Sequence, residues 1–312
     1  MHEVPTLVHK DPETGKVAVR NAVVLAWFVH RPVHEICGSV AAMLDEYLSC
    51  IPADALKWAI PNASAEQWRP VDQKTLPGIR KLLDPQGAKA RDITSFRLAD
   101  SAGEAPAFEF RFVGKPKSYK SPPACSLVQA VFPIETAREA YVDGLLERVK
   151  RLSAMIDFAY GYCSPALLYR ELRLVYAYPE IRGLAMRHHG YDVQNNLQAA
   201  WSMGLRTRGA RWITLLGPEL QAELGGAARI EQALGDSTHH AISVERLGPA
   251  LMIRAGRSPE IGDTNRREET PLLRRLAKVL EPVTAFDEKD LVFARFEDDE
   301  VLLQRWERRF LD

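Results

Sequence analysis

Cysteine and histidine are the residues whose types and spacing could support catalysis in this chain of 312 residues. Cys163 precedes His188 and His189, and Asp192 follows them. A thiolate nucleophile needs a base and a group that orients the base, so this order is compatible with a cysteine-dependent hydrolase. The segment around Cys163 lacks the local signatures of known cysteine hydrolases, and a buried cysteine usually packs as a small apolar residue. We therefore expect a protein that is not an enzyme, and we keep the hydrolase as the alternative.

The spacing of the histidines and cysteines does not match a metal site. Zinc ligands on one face of a helix lie four residues apart, but Pro32 separates His30 from His34 and is expected to end a strand. His188 and His189 are neighbours, and neighbours on a regular element point in different directions. The four cysteines form no C-x-x-C pair, which is typical of thiols in a reducing compartment. We expect no metal and no other cofactor.

The overall charge argues against a protein that binds nucleic acid directly. The 41 basic side chains are balanced by 41 acidic ones, whereas a general nucleic-acid binder carries a basic surface. The basic stretch at residues 111–120 is typical of a solvated turn. The sequence also contains no Gly-rich phosphate-binding motif and no G-x-S-x-G motif of the hydrolases.

The N-terminal sequence has no features of a secretion signal, because it lacks a basic segment followed by an apolar segment. No stretch approaches the roughly 18 uninterrupted apolar residues that a membrane-spanning helix requires. We therefore expect a cytoplasmic protein that does not contact a membrane.

Hydrophobic periodicity predicts the main helices and strands. The apolar run at residues 23–29 is typical of a strand that is covered on both faces. Alternation at residues 107–113 predicts a half-exposed antiparallel strand that turns Glu109 and Arg111 toward solvent. Thr136 and Glu139 have the spacing of a capping box, in which each side chain binds an exposed backbone N–H at a helix start. Helices are expected at residues 33–50, 136–155, 165–175, 271–280 and 299–311.

The predicted strands group into hairpins between helices instead of alternating strictly with them. This order predicts an α+β fold with one or more mixed, largely antiparallel sheets and packed amphipathic helices. The length fits a single domain over residues 1–312 or two intimate halves over about 1–156 and 157–312.

Seven strings, in order and nearly from end to end of the chain, resemble one family of proteins. They are LKWAIPNASAEQWRPV (56–71), GYCSPAL (161–167), RGLAMRHHGYDV (182–193), RGARWITLLGPEL (208–220), PEIGDTNR (259–266), TPLLRRLAKVLEPV (270–283) and RWERRFLD (305–312). Together they resemble the TsiV-like type VI secretion immunity family. The resemblance implies a non-catalytic cytoplasmic protein that protects its producer by binding a toxin delivered by the type VI secretion system. It also implies that the toxin is a nuclease, and it transfers no site residue to this sequence.

A protein that inhibits a nuclease must complement a groove built to attract phosphates, so exposed carboxylates are natural contacts. The sequence offers one acidic cluster, which comprises Glu297, Asp298, Asp299 and Glu300. The alternative is that these carboxylates only cap the last helix, since negative charge is favourable at a helix N-terminus.

The second candidate toxin-binding surface is the segment from Arg187 to Asn196. Within it, Arg187, His189, Tyr191 and Asp192 would present aromatic and hydrogen-bonding groups on a Gly-containing loop that need not form a regular element. The alternative is that this loop only closes a turn. Both surfaces are predicted as toxin-binding candidates beside their structural alternatives.

Overall fold

A single large sheet organises the protein. The computed structural model describes residues 4–65, 67–89, 93–115, 124–169, 174–193, 195–235, 241–286 and 300–312. Twelve strands of these residues belong to one sheet. The strands are β1 (Val8–Lys10), β2 (Val17–Val29), β3 (Trp58–Ile60), β4 (Arg69–Pro70), β5 (Thr94–Ala99), β6 (Glu109–Gly114), β7 (Ser126–Pro133), β8 (Tyr160–Tyr169), β9 (Asp192–Val193), β10 (Ile213–Leu216), β11 (Ile242–Leu247) and β12 (Ala250–Ala255).

The strand order confirms the predicted α+β fold with a largely antiparallel sheet. Ten strands follow the order β11-β12-β10-β8-β2-β7-β6-β5-β3-β4, while β1 pairs with β2 and β9 pairs with β8. Among the described strands, β8 and β9 form the one parallel pair, and the other pairs are antiparallel. The sheet is continuous across both halves of the sequence, because β2 pairs with β8 along ten residues.

The long strand β2 forms the centre of the sheet, as the apolar run at residues 23–29 predicts. Its neighbours are β7 on one side and β8 on the other, and all side chains from Ala22 to Val29 are buried. Because successive side chains of a strand point to opposite faces, both faces of β2 must be covered by helices.

Ten α-helices of the described residues cover the two faces of this sheet. They are α1 (Val33–Ser49), α2 (Thr75–Leu82), α3 (Pro85–Lys89), α4 (Val142–Ser153), α5 (Leu174–Arg187), α6 (Asn196–Ser202), α7 (Pro218–Glu223), α8 (Ala227–Gly235), α9 (Pro271–Leu280) and α10 (Glu300–Glu307). Buried residues of the helices that precede residue 157 share one core with Val23, Leu25 and Trp27 of β2, and we call this side the apolar face. Buried residues of the helices that follow residue 157 share the other core with Val24, Ala26 and Phe28, and we call this side the polar face.

Three predicted helices lie close to their expected positions. Helix α1 buries residues at helical spacing, among them Val33, Val40 and Leu44. Helix α9 begins at Pro271, where the fixed φ of proline suits the first helical position. Helix α10 is shorter than the predicted span 299–311, whose first residue lies outside the described residues, and Phe310 follows the helix as a buried residue of the final turn.

The predicted helix at residues 136–155 begins later than the capping box suggests. Residues Ile134–Ala137 form a 3-10 helix instead, and α4 begins at Val142. The Thr136 hydroxyl donates to the Pro133 carbonyl oxygen at 2.7 Å, so it does not cap α4. The predicted boundary is wrong because Thr136 belongs to the 3-10 helix, in which Ile134 and Ala137 are buried, and local spacing does not reveal this burial.

The predicted helix at residues 165–175 is wrong, because residues Tyr160–Tyr169 form strand β8. Pro165 misled the prediction, since proline is typical of a helix start and rare within a central strand. Strand β10 pairs with β8 up to Cys163, and β9 pairs with it from Ala166. Pro165 therefore lies at the gap between two partners on that side, where no ladder N–H is required of it.

Candidate functional site

A row of mostly polar side chains crosses the polar face. The strand registers align its members side by side: Arg97 of β5, Arg111 of β6, Gln129 of β7, Ala26 of β2, Tyr162 of β8 and Thr214 of β10. Ala26 is the small member at the centre, and its short side chain leaves room above β2. Helix α6 places Asn196 between the two sides of the row, where its amide nitrogen donates to the Gln129 side-chain oxygen at 2.8 Å.

Asp192 is the charged centre on one side of this row and is fully buried, with 0% of its surface exposed. Arg211 Nη2 lies 2.9 Å from Asp192 Oδ1, and Arg208 Nη2 lies 3.3 Å from the same oxygen. The Tyr162 hydroxyl donates to Asp192 Oδ2 at 2.8 Å and also lies 2.9 Å from Asn196 Oδ1. We call these five residues the Asp192 cluster.

The Asp192 cluster holds its carboxylate ionised. Burial by itself raises the pKa of Asp192, but Arg208, Arg211 and the Tyr162 hydrogen bond outweigh burial and lower it below the ordinary value. Burial raises the pKa of Tyr162 well above its usual range, and the neighbouring carboxylate adds to this shift. The tyrosine is therefore a proton donor that remains neutral.

Glu109 is the charged centre on the other side of the row. Arg97 Nε donates to Glu109 Oε2 at 2.6 Å, Gln129 donates to Oε1 at 2.9 Å, and Arg111 Nε lies 3.5 Å from Oε1. Both Glu109 and Arg111 are buried, so the prediction of a half-exposed strand with these side chains in solvent is wrong. The correction has a physical reason: β6 lies inside the sheet, and the paired charges permit burial on both of its faces.

The predicted toxin-binding loop from Arg187 to Asn196 is more ordered and more buried than the sequence suggests. It contains the short strand β9, and α6 starts at its end. Gly190 makes a close contact with the neighbouring chain, because a Cβ atom there would lie 1.8 Å from the Glu260 carbonyl oxygen. Residues 188–191 form a turn without regular structure, as predicted, whereas β9 and the start of α6 add regular structure to the segment. A role of the segment in toxin binding stays a prediction.

The four predicted contact residues of that loop divide into two pairs. Tyr191 and Asp192 are buried, and the Tyr191 hydroxyl accepts a hydrogen bond from Asn21 at 2.8 Å. Arg187 and His189 are partly exposed. Burial and the nearby arginines, Arg309 foremost, lower the pKa of His189 to about 4, so this imidazole is neutral at neutral pH.

Arg187 forms a two-pronged ion pair at the end of α5. Its Nε and Nη2 donate to the two carboxylate oxygens of Asp263 at 3.0 and 2.6 Å. These hydrogen bonds lower the pKa of Asp263 to about 2 and raise that of Arg187. The pair joins the end of α5 to the segment that follows β12, and Arg187 is therefore already engaged within the protein.

The C-terminal residues pack beside the Asp192 cluster. The Arg309 guanidinium lies 3.9 Å from the Trp306 ring centroid and 4.4 Å from that of Phe310. Its Nε donates to the His189 carbonyl oxygen at 2.8 Å. Burial and then the proximity of Arg211 lower the pKa of Arg309 well below its ordinary value. A third arginine thus lies near the single carboxylate of the cluster.

Sequence reasoning did not find this cluster, although a signal was present. Tyr162, Asp192, Arg208, Arg211 and Arg309 all fall within the strings that carry the family resemblance. Charged residues inside otherwise apolar strings, as in RGARWITLL, are the pattern that buried ion pairs leave in a sequence. The strings therefore mark contacts in the interior of the protein.

The structure describes one of the four residues of the acidic cluster. Glu297, Asp298 and Asp299 lie outside the described residues, and Glu300 is the first residue of α10. Its role in toxin binding remains a prediction.

The structure gives no support to a hydrolase based on Cys163. This thiol is fully buried within the core of the apolar face, and burial raises its pKa well above the ordinary value. Asp192 and Tyr162 lie on the polar face, and the His188 ring is held by the Gly262 carbonyl oxygen at 2.7 Å. A protonated, inaccessible thiol is a poor nucleophile.

The described residues contain no group of three or more histidine, cysteine or acidic side chains that could hold a metal ion. None of their helices has both the length and the apolar character needed to span a membrane.

The architecture defines an α+β protein with helices on both faces of one wide sheet, and this fold is known. It is shared with the T6SS protein PA0821 of Pseudomonas aeruginosa, with a TM-score of 0.76 and 19% sequence identity. The alignment covers 99% of this chain and 87% of that one. No curated protein matches the sequence.

Residues 39–310 match the model of the TsiV family, which is described as type VI immunity for VRR-NUC. The chain belongs to this family. The match confirms the family that the seven strings resemble, and it identifies an immunity protein of the type VI secretion system whose family is directed against a VRR-NUC nuclease effector.

Proposed function

We propose that this protein binds its cognate VRR-NUC effector in the cytoplasm and neutralises it by occluding the active site or the path of the substrate. The observation that carries the proposal is the family match over residues 39–310. The buried Cys163 thiol is consistent with a protein that acts by binding instead of turnover.

The interior supports this proposal because a tight inhibitor must present a preformed surface. A rigid binder loses less conformational entropy on association than a flexible one. The sheet extends through both halves of the chain, and Asp192 and Glu109 tie strands and helices together from within. These residues would act on affinity by maintaining the shape of the surface.

The acidic cluster remains a candidate for the first encounter with the effector. Carboxylates at the edge of an interface act mainly on the association rate, and salt screens them. Asp298→Asn combined with Glu300→Gln, with Asp299 left unchanged, is expected to slow association and to flatten its salt dependence. Unchanged association kinetics at low salt would exclude the cluster from the interface.

Growth of a bacterium that expresses the effector provides the test of the proposed function. Co-expression of this chain with the nuclease encoded in the adjacent open reading frame is expected to restore growth. The hydrolase alternative requires Cys163, so rescue that persists in Cys163→Ala contradicts that alternative. Continued killing, with both proteins present at normal levels, would contradict the proposed function.

A further inference from the structure

A cleft of about 950 Å³ opens beside the end of α4. Its floor is apolar and includes the buried side chains of Ile156 and Phe158. The lining also includes the hairpin that joins β11 to β12 and the exposed Leu205. A floor of this kind, surrounded by polar groups, resembles the centre of a protein interface.

Leu205 is held in an exposed position, with 40% of its surface accessible. The residue before it, Gly204, has a φ of 65°, which glycine adopts without strain. A ring nitrogen of His30 lies 2.9 Å from the Gly204 carbonyl oxygen, and Met203 is buried. After Leu205, the backbone N–H of Thr207 donates to the Val283 carbonyl oxygen at 2.8 Å. The turn is therefore fixed on both sides, and it presents an apolar side chain to solvent beside the cleft.

The hairpin wall is fixed in a similar way. Gly248 adopts a φ of 59° in the turn between β11 and β12. Gln221 of α7 donates to the carbonyl oxygens of Pro249 and Leu216, each at 2.9 Å. These contacts hold Arg246, which precedes the turn, on a rigid element at the rim of the cleft.

The rim of the cleft carries more positive than negative side chains. The described lining includes four cations, namely Arg31, Lys150, Arg151 and Arg246, against the two carboxylates Asp157 and Glu219. Each of these cations already forms an ion pair. Arg31 pairs with Asp157 of the lining at 2.9 Å. The other three pair with carboxylates outside the lining, namely Lys150 with Glu245, Arg151 with Glu46 and Arg246 with Glu231. Exposed pairs of this kind contribute little stability, so the cations can exchange partners at low cost.

We propose that this basic cleft is the docking site for the effector and that it receives an effector segment bearing carboxylates beside an apolar side chain. The inference rests on the proposed function, because it names the surface through which that function would operate. Charge complementarity supports an acidic occupant, and arginine is enriched at the energetic centres of interfaces. The exposed Leu205 and the exposed guanidiniums favour a protein segment, since sites for small molecules bury most of their ligand.

Charge reversal with a matched control tests this inference. The Arg246 side chain is 66% exposed and lies 3.6 Å from Glu231, whereas Arg266 is 67% exposed and lies 3.8 Å from Asp263. Arg246→Glu is expected to weaken binding of the purified nuclease encoded in the adjacent open reading frame by about tenfold or more. Arg266→Glu, which lies near the predicted loop surface, is expected to leave the affinity unchanged. Thermal unfolding of each variant verifies that the fold is retained.

A second pair of variants tests the apolar contact. Leu205→Asp is expected to weaken binding by a similar factor, while Val8→Asp, at a residue that is 45% exposed on β1, is expected to have no effect. Isothermal titration calorimetry gives the affinities, and sedimentation of the protein alone detects self-association.

The outcomes separate the inference from the proposed function. Unchanged effector binding by Arg246→Glu and Leu205→Asp would overturn the docking site while the proposed function stands. A loss of affinity in Arg266→Glu alone would assign the interface to the surface near Arg187 and also overturn it. A dimer that Arg246→Glu dissociates would assign the cleft to a second copy of this chain. Absence of binding by the wild-type protein would overturn the proposed function itself.

Discussion

The two faces of the sheet are stabilised in different ways. On the apolar face, Tyr47 packs against Phe110 and Phe132 with ring centroids 5.5 and 5.1 Å away, and its hydroxyl donates to the Val131 carbonyl oxygen at 2.8 Å. On the polar face, buried arginines surround Asp192 and Glu109. The stability gained from buried apolar area changes little when one apolar side chain replaces another, whereas a buried ion pair is lost when either partner is removed.

This difference teaches where the fold tolerates change. An apolar core accepts substitutions that conserve volume, because the surrounding side chains can repack. Loss of one partner from a buried ion pair leaves an uncompensated charge, and no repacking replaces the lost interaction. The polar face is therefore expected to be the more sensitive of the two.

The largest effect is expected at Asp192. Asp192→Ala removes the carboxylate that faces Arg208 and Arg211, and it is expected to lower the free energy of unfolding by about 3–5 kcal/mol. Asp192→Asn keeps the shape but removes the charge, so it is also expected to be strongly destabilising. Urea denaturation followed by circular dichroism measures both. A loss below about 1 kcal/mol in either variant would show that the ion pairs do not matter for stability.

Substitutions of Leu145, which is fully buried on α4, provide the matched measurement on the apolar face. Leu145→Ala is expected to cost about 2–5 kcal/mol because it leaves a cavity. Leu145→Met conserves volume and is expected to cost less than about 1.5 kcal/mol. The comparison of the faces fails if Leu145→Met is as damaging as Asp192→Asn in the same denaturation experiment.

A double-mutant cycle between Asp192 and Arg309 sharpens the comparison further. Arg309 is buried near Arg208 and Arg211, so Arg309→Met removes a positive charge that lies beside the Asp192 cluster. The substitution is expected to be less damaging in the Asp192→Ala background than in the wild type, with a coupling energy of about 0.5–3 kcal/mol. Additive effects of the two substitutions would mean that Arg309 is not electrostatically part of the Asp192 cluster.

The smallest expected effect is a pH dependence from His189, because this side chain is partly exposed and solvent screens its interactions. Its pKa of about 4 lies below the value of about 6.5 expected in the unfolded chain. Between these values the unfolded state binds the proton and the folded state does not, so stability is lost as the pH falls from about 6.5 to about 4. His189→Asn is expected to flatten this slope. An equal slope in the variant and the wild type would contradict the assignment to His189.

The sequence predicts those parts of the fold whose apolar pattern is local. The buried residues of α1 recur at helical spacing, and the run at residues 23–29 is continuous, so both are recognised without any tertiary contact. The structure of strand β8 was not predicted, because Pro165 is typical of a helix start and the strand, which is buried on both faces, shows no alternation of apolar and polar residues. Its pairing with β2, β9 and β10, which are distant in the chain, decides its structure.

The polar contacts depend on residues that are far apart in the chain. The sequence pattern predicts that Glu109 faces solvent, because it does not show that Arg97 and Gln129 lie beside it. Likewise, Asp192 contacts Arg208 and Arg211 in a structure in which β9 pairs with β8. Similarly, the cations of the basic cleft come from separate elements, among them the end of β2, the end of α4 and strand β11. No periodicity within one segment can reveal such a grouping.

The central claim is that this chain neutralises a VRR-NUC nuclease by binding it. Its most direct test is a titration in which the purified chain is added to a fixed concentration of its cognate VRR-NUC nuclease, which is expected in the adjacent open reading frame, with cleavage of nucleic acid as the readout. Cleavage is expected to fall linearly and to reach background near one molar equivalent, as a stable stoichiometric complex forms. Undiminished cleavage at a severalfold molar excess of the folded chain would contradict the claim.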